Sequence, residues 1–284
     1  MPLGEDSYNH VGAARIPRRA IRRLKELLFS ALAIAAVGLT VPASSQADLL
    51  PVSPLPPDRS LWVNFEILPA EPAKPLPEIM KTVEGARLKT EEAVVSGQTY
   101  RKTSVTVPLP NGDRREMILL LAVESDRMRM LGFHHIVQHQ DSSLGRTTVF
   151  QSGDPNPLTG DPTEVPADTY TYLALCTALS SIDGARPPLA VHLWWNGTAV
   201  PVEIVFDGKE TLDALGEKLP ALRLRLTPKS GGAAAIFWFA EVAPHALLQY
   251  RGPGDFLIGR GDPVPTVMLR ATASSEQVRR ILHD

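Results

Sequence analysis

The chain has 284 residues, with 29 Lys and Arg against 31 Asp and Glu, a formal net charge of −2. That balance argues against a nucleic-acid partner, which needs a basic face. Cys176 is the single cysteine, which excludes an intramolecular disulfide and leaves the fold to rest on an apolar core, as a chain of this length can.

Arg15, Arg18, Arg19, Arg22, Arg23 and Lys25 lead into an apolar run from Leu27 to Val41, then Pro42 and Ala43-Ser44-Ser45-Gln46-Ala47. A basic region, an apolar run and a Ser-x-Ala cleavage site read as a secretory signal peptide over residues 1–47. The run of about 15 residues falls short of the roughly 20 that cross a bilayer as a helix. Left uncleaved, the same run is an N-terminal anchor, and only then does the chain meet a membrane. The Arg18-Arg19 and Arg22-Arg23 pairs suggest twin-arginine export, but the residues that follow fit general secretion better. No cysteine lies near Ala47, so the signal is not of the lipoprotein kind. Its form fits a Gram-negative periplasm. Cleavage leaves residues 48–284 with 23 basic and 28 acidic side chains, a net of −5.

Residues 48–78 read as a Pro-rich leader with one short strand, Leu61–Leu68. Pro51, Pro54, Pro56 and Pro57 favour extended polyproline structure, and Pro69, Pro72, Pro75 and Pro77 exclude a long helix. Residues 79–284 read as a single β-rich domain in two halves joined by the loop 153–166. Ser104-Val105-Thr106-Val107 alternates with period two and meets the hairpin signal Asn111-Gly112. The return strand Glu116–Val123 sets Met117, Leu119 and Leu121 on one face, and Met128–Val137 and Arg146–Phe150 follow. Leu189–Trp195 comes next. Asp207-Gly208 predicts a second hairpin joining Val200–Phe206 to Lys209–Leu215. Ala221–Thr227, Ala234–Val242, Ala246–Arg251 and Val264–Ala271 complete the strands.

Two helices interrupt them. Asp168 is placed to cap a helix reaching about Ser181 and stopped by Gly184, with Tyr172, Leu175, Cys176 and Leu179 on one face. Ser274-Ser275-Glu276-Gln277 is a capping box before Val278 and Ile281. The expected fold is therefore mainly β: a curved antiparallel or open barrel-like sheet with one packed helix and a short C-terminal helix.

The residues with chemistry are few. His134, His135 and His139 form the one ligand-like cluster. On a strand His135 and His139 share a face and are a candidate metal pair needing a third ligand. Asp154, Asp161 and Asp168 fit turn and capping roles better than calcium, and Cys176 reads as a buried inert thiol. Trp194-Trp195 and Phe237-Trp238-Phe239 present aromatics to both faces of their strands, which requires either a covering layer or an internal cavity. With Leu247, Leu248, Tyr250 and Phe256 they are the candidate lining for a lipid-like ligand. Asn196-Gly197-Thr198 and Arg260-Gly261-Asp262 read as turns. The chain has no Gly-x-Ser-x-Gly elbow, Gly-rich phosphate loop or His-Glu-x-x-His.

Residues 160–271 resemble the exported bacterial family known as domain of unknown function 3108. The resemblance runs through the Asp168–Ser181 segment after a Pro-rich loop, Asp207-Gly208-Lys209-Glu210, the Gly216 turn into Ala221–Thr227, and Ile236-Phe237-Trp238-Phe239-Ala240 with Pro244 and Arg251-Gly252-Pro253. It implies a periplasmic curved antiparallel sheet akin to lipoprotein-carrier folds and carries over no functional residue. Together these readings point to a non-catalytic periplasmic protein that binds an apolar or amphipathic envelope ligand without a cofactor. The alternatives are a structural or interaction module of an envelope assembly, and a metal-dependent enzyme built on His135 and His139.

Overall fold

The computed structural model describes residues 49–283 except 53–54, 56–59, 77, 82, 84, 96, 110–111, 125–126, 140–141, 152–162, 180–187, 231–232, 244 and 259–263. The signal segment, its cleavage position, Asp154, Asp161, Gly184 and the Arg-Gly-Asp tripeptide lie outside the described residues.

The fold is mainly β, one large curved sheet wound as two meanders. The first runs β2 (Ser60–Pro69), β3 (Ala86–Val95), β4 (Gln98–Pro108), β5 (Arg114–Glu124), β6 (Arg127–Gln138), β7 (Ser143–Gln151) and β8 (Thr163–Glu164). The second runs β9 (Thr169–Tyr170), β10 (Leu189–Trp195), β11 (Thr198–Ala214), β12 (Glu217–Pro228), β13 (Ala235–Ala240), β14 (Leu247–Pro253) and β15 (Thr266–Ser274). From β2 to β8 and from β9 to β15 each strand lies beside its sequence neighbour, and the meanders meet where β2 pairs antiparallel with β15. The strand of the Pro-rich leader therefore sits between β3 and β15 inside the sheet. Val63, Phe65 and Ile67 alternate into the core, and Ser275 N–H donates to Trp62 O just past the end of β15.

Turn chemistry fixes the register. Asn196 and Gly197, at φ 48° and 86°, form a two-residue turn that pairs Trp195 with Thr198. Positive φ at both positions matches the right-handed twist of the flanking strands. The expected hairpin joins β4 to β5, pairing Pro108 with Arg114, with Gly112 at φ 77°; Asn111 lies outside the described residues. The hairpin expected at Asp207-Gly208 is not there. The β11 strand runs through that dipeptide with a bulge between Phe206 and Gly208, and turns later at Leu215-Gly216. The reason lies across the ladder: Asp207 pairs with Arg223 at 3.0 Å and Arg225 at 3.4 Å on β12, holding the two strands together where a turn would end them. Gly208, at φ 124°, absorbs the extra residue.

The predicted packed helix is present but shorter and later than expected. It is α2 (Tyr172–Ala178), after α1 (Glu78–Lys81), and Thr171 caps it by accepting from Ala174 N–H at 3.2 Å. Asp168 instead pairs with His192 Nδ1 at 2.9 Å, while Thr169 and Tyr170 pair with β10. Every residue of α2 is buried, because the helix lies inside the curve of the sheet. Thr177 Oγ1 is 3.2 Å from Thr103 Oγ1 on β4, and the Tyr172 ring lies 5.7 Å from Trp195 and 6.5 Å from Tyr250. The helix thus packs on both meanders at once. Two short helices follow, α3 (Asp255–Ile258) against β4 and β5, and α4 (Glu276–His283) at the C-terminal end.

One tyrosine bridges the open side of the curved sheet. The β7 strand pairs with β6 only from Gly132 onward, leaving the start of β6 to β1 (Leu50–Pro51). There Leu50 N–H donates to the Tyr170 hydroxyl at 3.0 Å, and that hydroxyl donates to Met128 O. A side chain of the second meander thereby ties β1 to β6 of the first.

Candidate functional site

Parity along the strands decides which side chains enter the sheet's interior. Phe237 and Phe239 on β13 point inward with Tyr250 on β14. Phe237 stacks on Phe239 at 6.3 Å and meets Tyr250 at 5.2 Å, and Tyr250 meets Phe256 of α3 at 5.5 Å. All four are buried, and Tyr172 of α2 joins them. Trp238 faces the other way. Its indole N–H donates to Glu210 on the β11–β12 arm, so the outer aromatic of β13 is covered by that arm. Trp194 and Trp195 are half-buried and separated by strand alternation, Trp194 against Phe150 at 4.9 Å and Trp195 against Tyr172. The predicted lining residues therefore do not surround one cavity: some form a packed cluster on α2, and others lie on opposite faces.

A small cavity among the described residues takes in one residue of that predicted lining, Leu247. It is lined by Leu61, Val63, Leu88, Arg101, Cys176 and Leu247 among others and measures ≈ 20 Å³, room for about one water. The Arg101 side chain, 1% exposed, points into this region and pairs with Glu92. Thr90, Thr103 and Thr177 carry a hydroxyl chain beside it. Burial raises the Cys176 thiol far above its ordinary range, so it stays protonated and unreactive.

His135 and His139 are not brought to a common site. His139 Nδ1 bonds Asp113 Oδ2 at 2.8 Å beside the β4–β5 turn, while His135 sits further along β6 opposite Met117. Burial, with Arg115 and His134 nearby, lowers the pKa of His135 to about 4 and keeps its ring neutral. Among the described residues no group of three His, Cys, Asp or Glu is placed to hold a metal, and no helix is long and apolar enough to cross a membrane.

Three buried or half-buried polar features escaped the reading of the sequence: the Arg101–Glu92 pair, Arg115 beside His135, and Asp255. Burial pushes the Asp255 carboxyl up to about 7, and its Oδ1 is closed from solvent without a partner among the described residues. A signal for the two arginines was available. Extending the Met117, Leu119, Leu121 face back by two residues reaches Arg115, and the same step from Val105 through Thr103 reaches Arg101. A charge at the inward parity of an apolar strand marks a buried polar position.

No family model matches the chain, and no curated protein matches it. Among solved structures, the crystal structure of a beta-barrel-like protein of domain of unknown function DUF1849 from Brucella abortus is similar to 76% of this chain and 97% of its own. The TM-score is 0.34 and the identity 6%.

Proposed function

We propose that this protein is an exported, non-catalytic module of the bacterial envelope that acts through its outer surface around a packed interior. One observation carries this reading: α2, buried over its whole length, occupies the space inside the sheet where a lipid-like ligand would lie. Of the aromatic residues singled out as a lining, Phe237, Phe239, Tyr250 and Phe256 touch one another, and Tyr250 and Trp195 touch Tyr172 of α2. The signal segment supplies the periplasmic address, and the exported character of the family that residues 160–271 resemble agrees with it.

The test is native mass spectrometry of the protein purified from periplasm without detergent, joined to photo-crosslinking in cells. The expected mass is that of residues 48–284 with no lipid. Crosslinker placed at the exposed apolar residues Val94, Leu144 and Val242 is expected to trap a discrete envelope component. A co-purifying lipid, with no crosslinked species from any of the three positions, would overturn the proposal in favour of a carrier.

A further inference from the structure

Buried arginines in this molecule come with a carboxylate. Arg101 pairs with Glu92, and Arg129 takes Glu124 through Nε and Nη2. Arg115 departs from that pattern. It enters the interior from the start of β5, opposite Val137, while its neighbour on the same face, Met117, lies opposite His135. Arg115 and His135 are therefore diagonal cross-strand neighbours, a placement that sets such residues about 7–8 Å apart, within reach of long side chains.

The guanidinium is held in place. Arg115 Nη1 donates to Leu257 O of α3 at 2.9 Å. Its Nε is closed from solvent and has no partner among the described residues, and the same is true of His135 Nε2. Burial lowers the affinity of Arg115 for its proton. A half-buried cation without a counter-charge, and two closed nitrogens without acceptors, among the described residues are each costly. All three deficits are met by one kind of partner: small, negative and rich in acceptor oxygens. The arginine supplies the charge and an N–H in its rigid plane, and the neutral imidazole supplies a second N–H when its proton is on Nε2.

We infer that Arg115 and His135 form a binding site beneath α3 for a small oxyanion, a phosphate or carboxylate group, held between Arg115 Nε and His135 Nε2. The site lies outside the metal pair and the aromatic lining considered above, and it does not depend on the proposed envelope role. The oxyanion is either a free ion or the acidic head of an amphipath that enters from the α3 end.

The test follows the imidazole resonances of His135 by NMR in the full mature chain, in buffer free of other oxyanions. Inorganic phosphate, acetate and decanoate are titrated separately. The expected result is a saturable shift of the His135 signals with at least one probe. The bound anion should also raise the pKa of His135 towards its ordinary range. Affinity should fall about tenfold or more in Arg115→Gln, as for a lost charged hydrogen bond. If that variant does not fold, Arg115→Lys and His135→Gln serve instead: each should weaken binding while wild-type circular dichroism is retained. No saturable shift with any probe, or equal affinity in the variants, would overturn the site. So would a crystal structure grown in phosphate with only water on the two nitrogens. Phosphate or acetate binding alone assigns a free ion. Decanoate binding far tighter than acetate assigns an amphipath head and counts against the packed-interior reading while leaving the oxyanion site intact.

Discussion

Asp255 is the residue at which burial and charge conflict most plainly. It opens α3, and backbone N–H groups at Asp255 and Phe256 favour its charged form, but burial outweighs them and lifts the carboxyl to about 7. In the unfolded chain it titrates near 3.8. Between those values the unfolded state gives up a proton that the folded state keeps, so this group subtracts stability as pH rises from about 4 to 7 and subtracts no more above that. Asp255→Asn holds the neutral form at every pH. Its unfolding free energy in urea should match the parent's near pH 4, exceed it increasingly up to about pH 7, by about 4 kcal/mol, and hold that margin at pH 8; a constant offset across that range would exclude the account. Arg101 makes the opposite case. Arg101→Ala strands Glu92 beside an apolar pocket and should cost about 2–4 kcal/mol in chemical denaturation. The double variant Arg101→Met with Glu92→Leu should recover most of that loss, since apolar side chains of similar volume carry no desolvation penalty.

At the scale of elements, one hydroxyl ties β1 to β6 across the open side of the sheet. Tyr170→Phe keeps the ring and removes the oxygen, leaving Leu50 N–H without an acceptor and Met128 O without that donor. Both are buried, so a loss of about 2–3 kcal/mol is expected. Hydrogen exchange should accelerate at Leu50 and its β1 neighbours before the ladder between β3 and β4 responds, and uniform acceleration would show that β1 is not a local closure. This contact also marks the limit of what was legible in the sequence. Strands such as Glu116–Val123 and Leu189–Trp195 announce themselves because side-chain alternation is local. So does the Asn196-Gly197 turn, where the dipeptide itself favours the required backbone angles. Asp207-Gly208 is locally indistinguishable from such a turn. Only Arg223 and Arg225, brought opposite by a strand that returns later, make it a bulge. Likewise Leu61–Leu68 is readable as a strand, but its partner β15 lies some 200 residues away in the chain. The aromatic runs were legible as two-faced. Whether the inner face met a ligand or a helix depended on where Tyr172–Ala178 docked, which no local pattern records. His135 stood out as a histidine, whereas Arg115 became visible only when strand parity put it on the same inner face.

For the whole molecule, the decisive feature is that two meanders share one helix and one seam. Each meander is built from neighbouring strands and can form from local pairings. The β2–β15 ladder joins segments at opposite ends of the domain, and α2 bonds to β4 of one meander while packing on β10 and β14 of the other. Neither half covers its inner face alone. The protein should therefore unfold as one cooperative unit. Trp62 lies in the first meander and Trp194, Trp195 and Trp238 in the second, so tryptophan fluorescence and far-ultraviolet circular dichroism sample both halves. Their denaturation curves should coincide. Leu175→Ala probes the shared helix directly. Leu175 is fully buried, and its truncation should cost about 2–5 kcal/mol, more if the space stays empty. Because α2 serves both meanders, the variant should shift the whole transition to lower denaturant without splitting it. Two separated transitions, or a variant that melts only the second meander's signal, would mean that the halves are independent units merely lying side by side. Long-range closure also predicts slow refolding, on the millisecond-to-second scale of sheets dominated by distant pairings. A refolding phase that is slow in the parent should become slower still when Val267→Ala weakens the inner face of β15 at the seam, provided that pairing is made in the transition state.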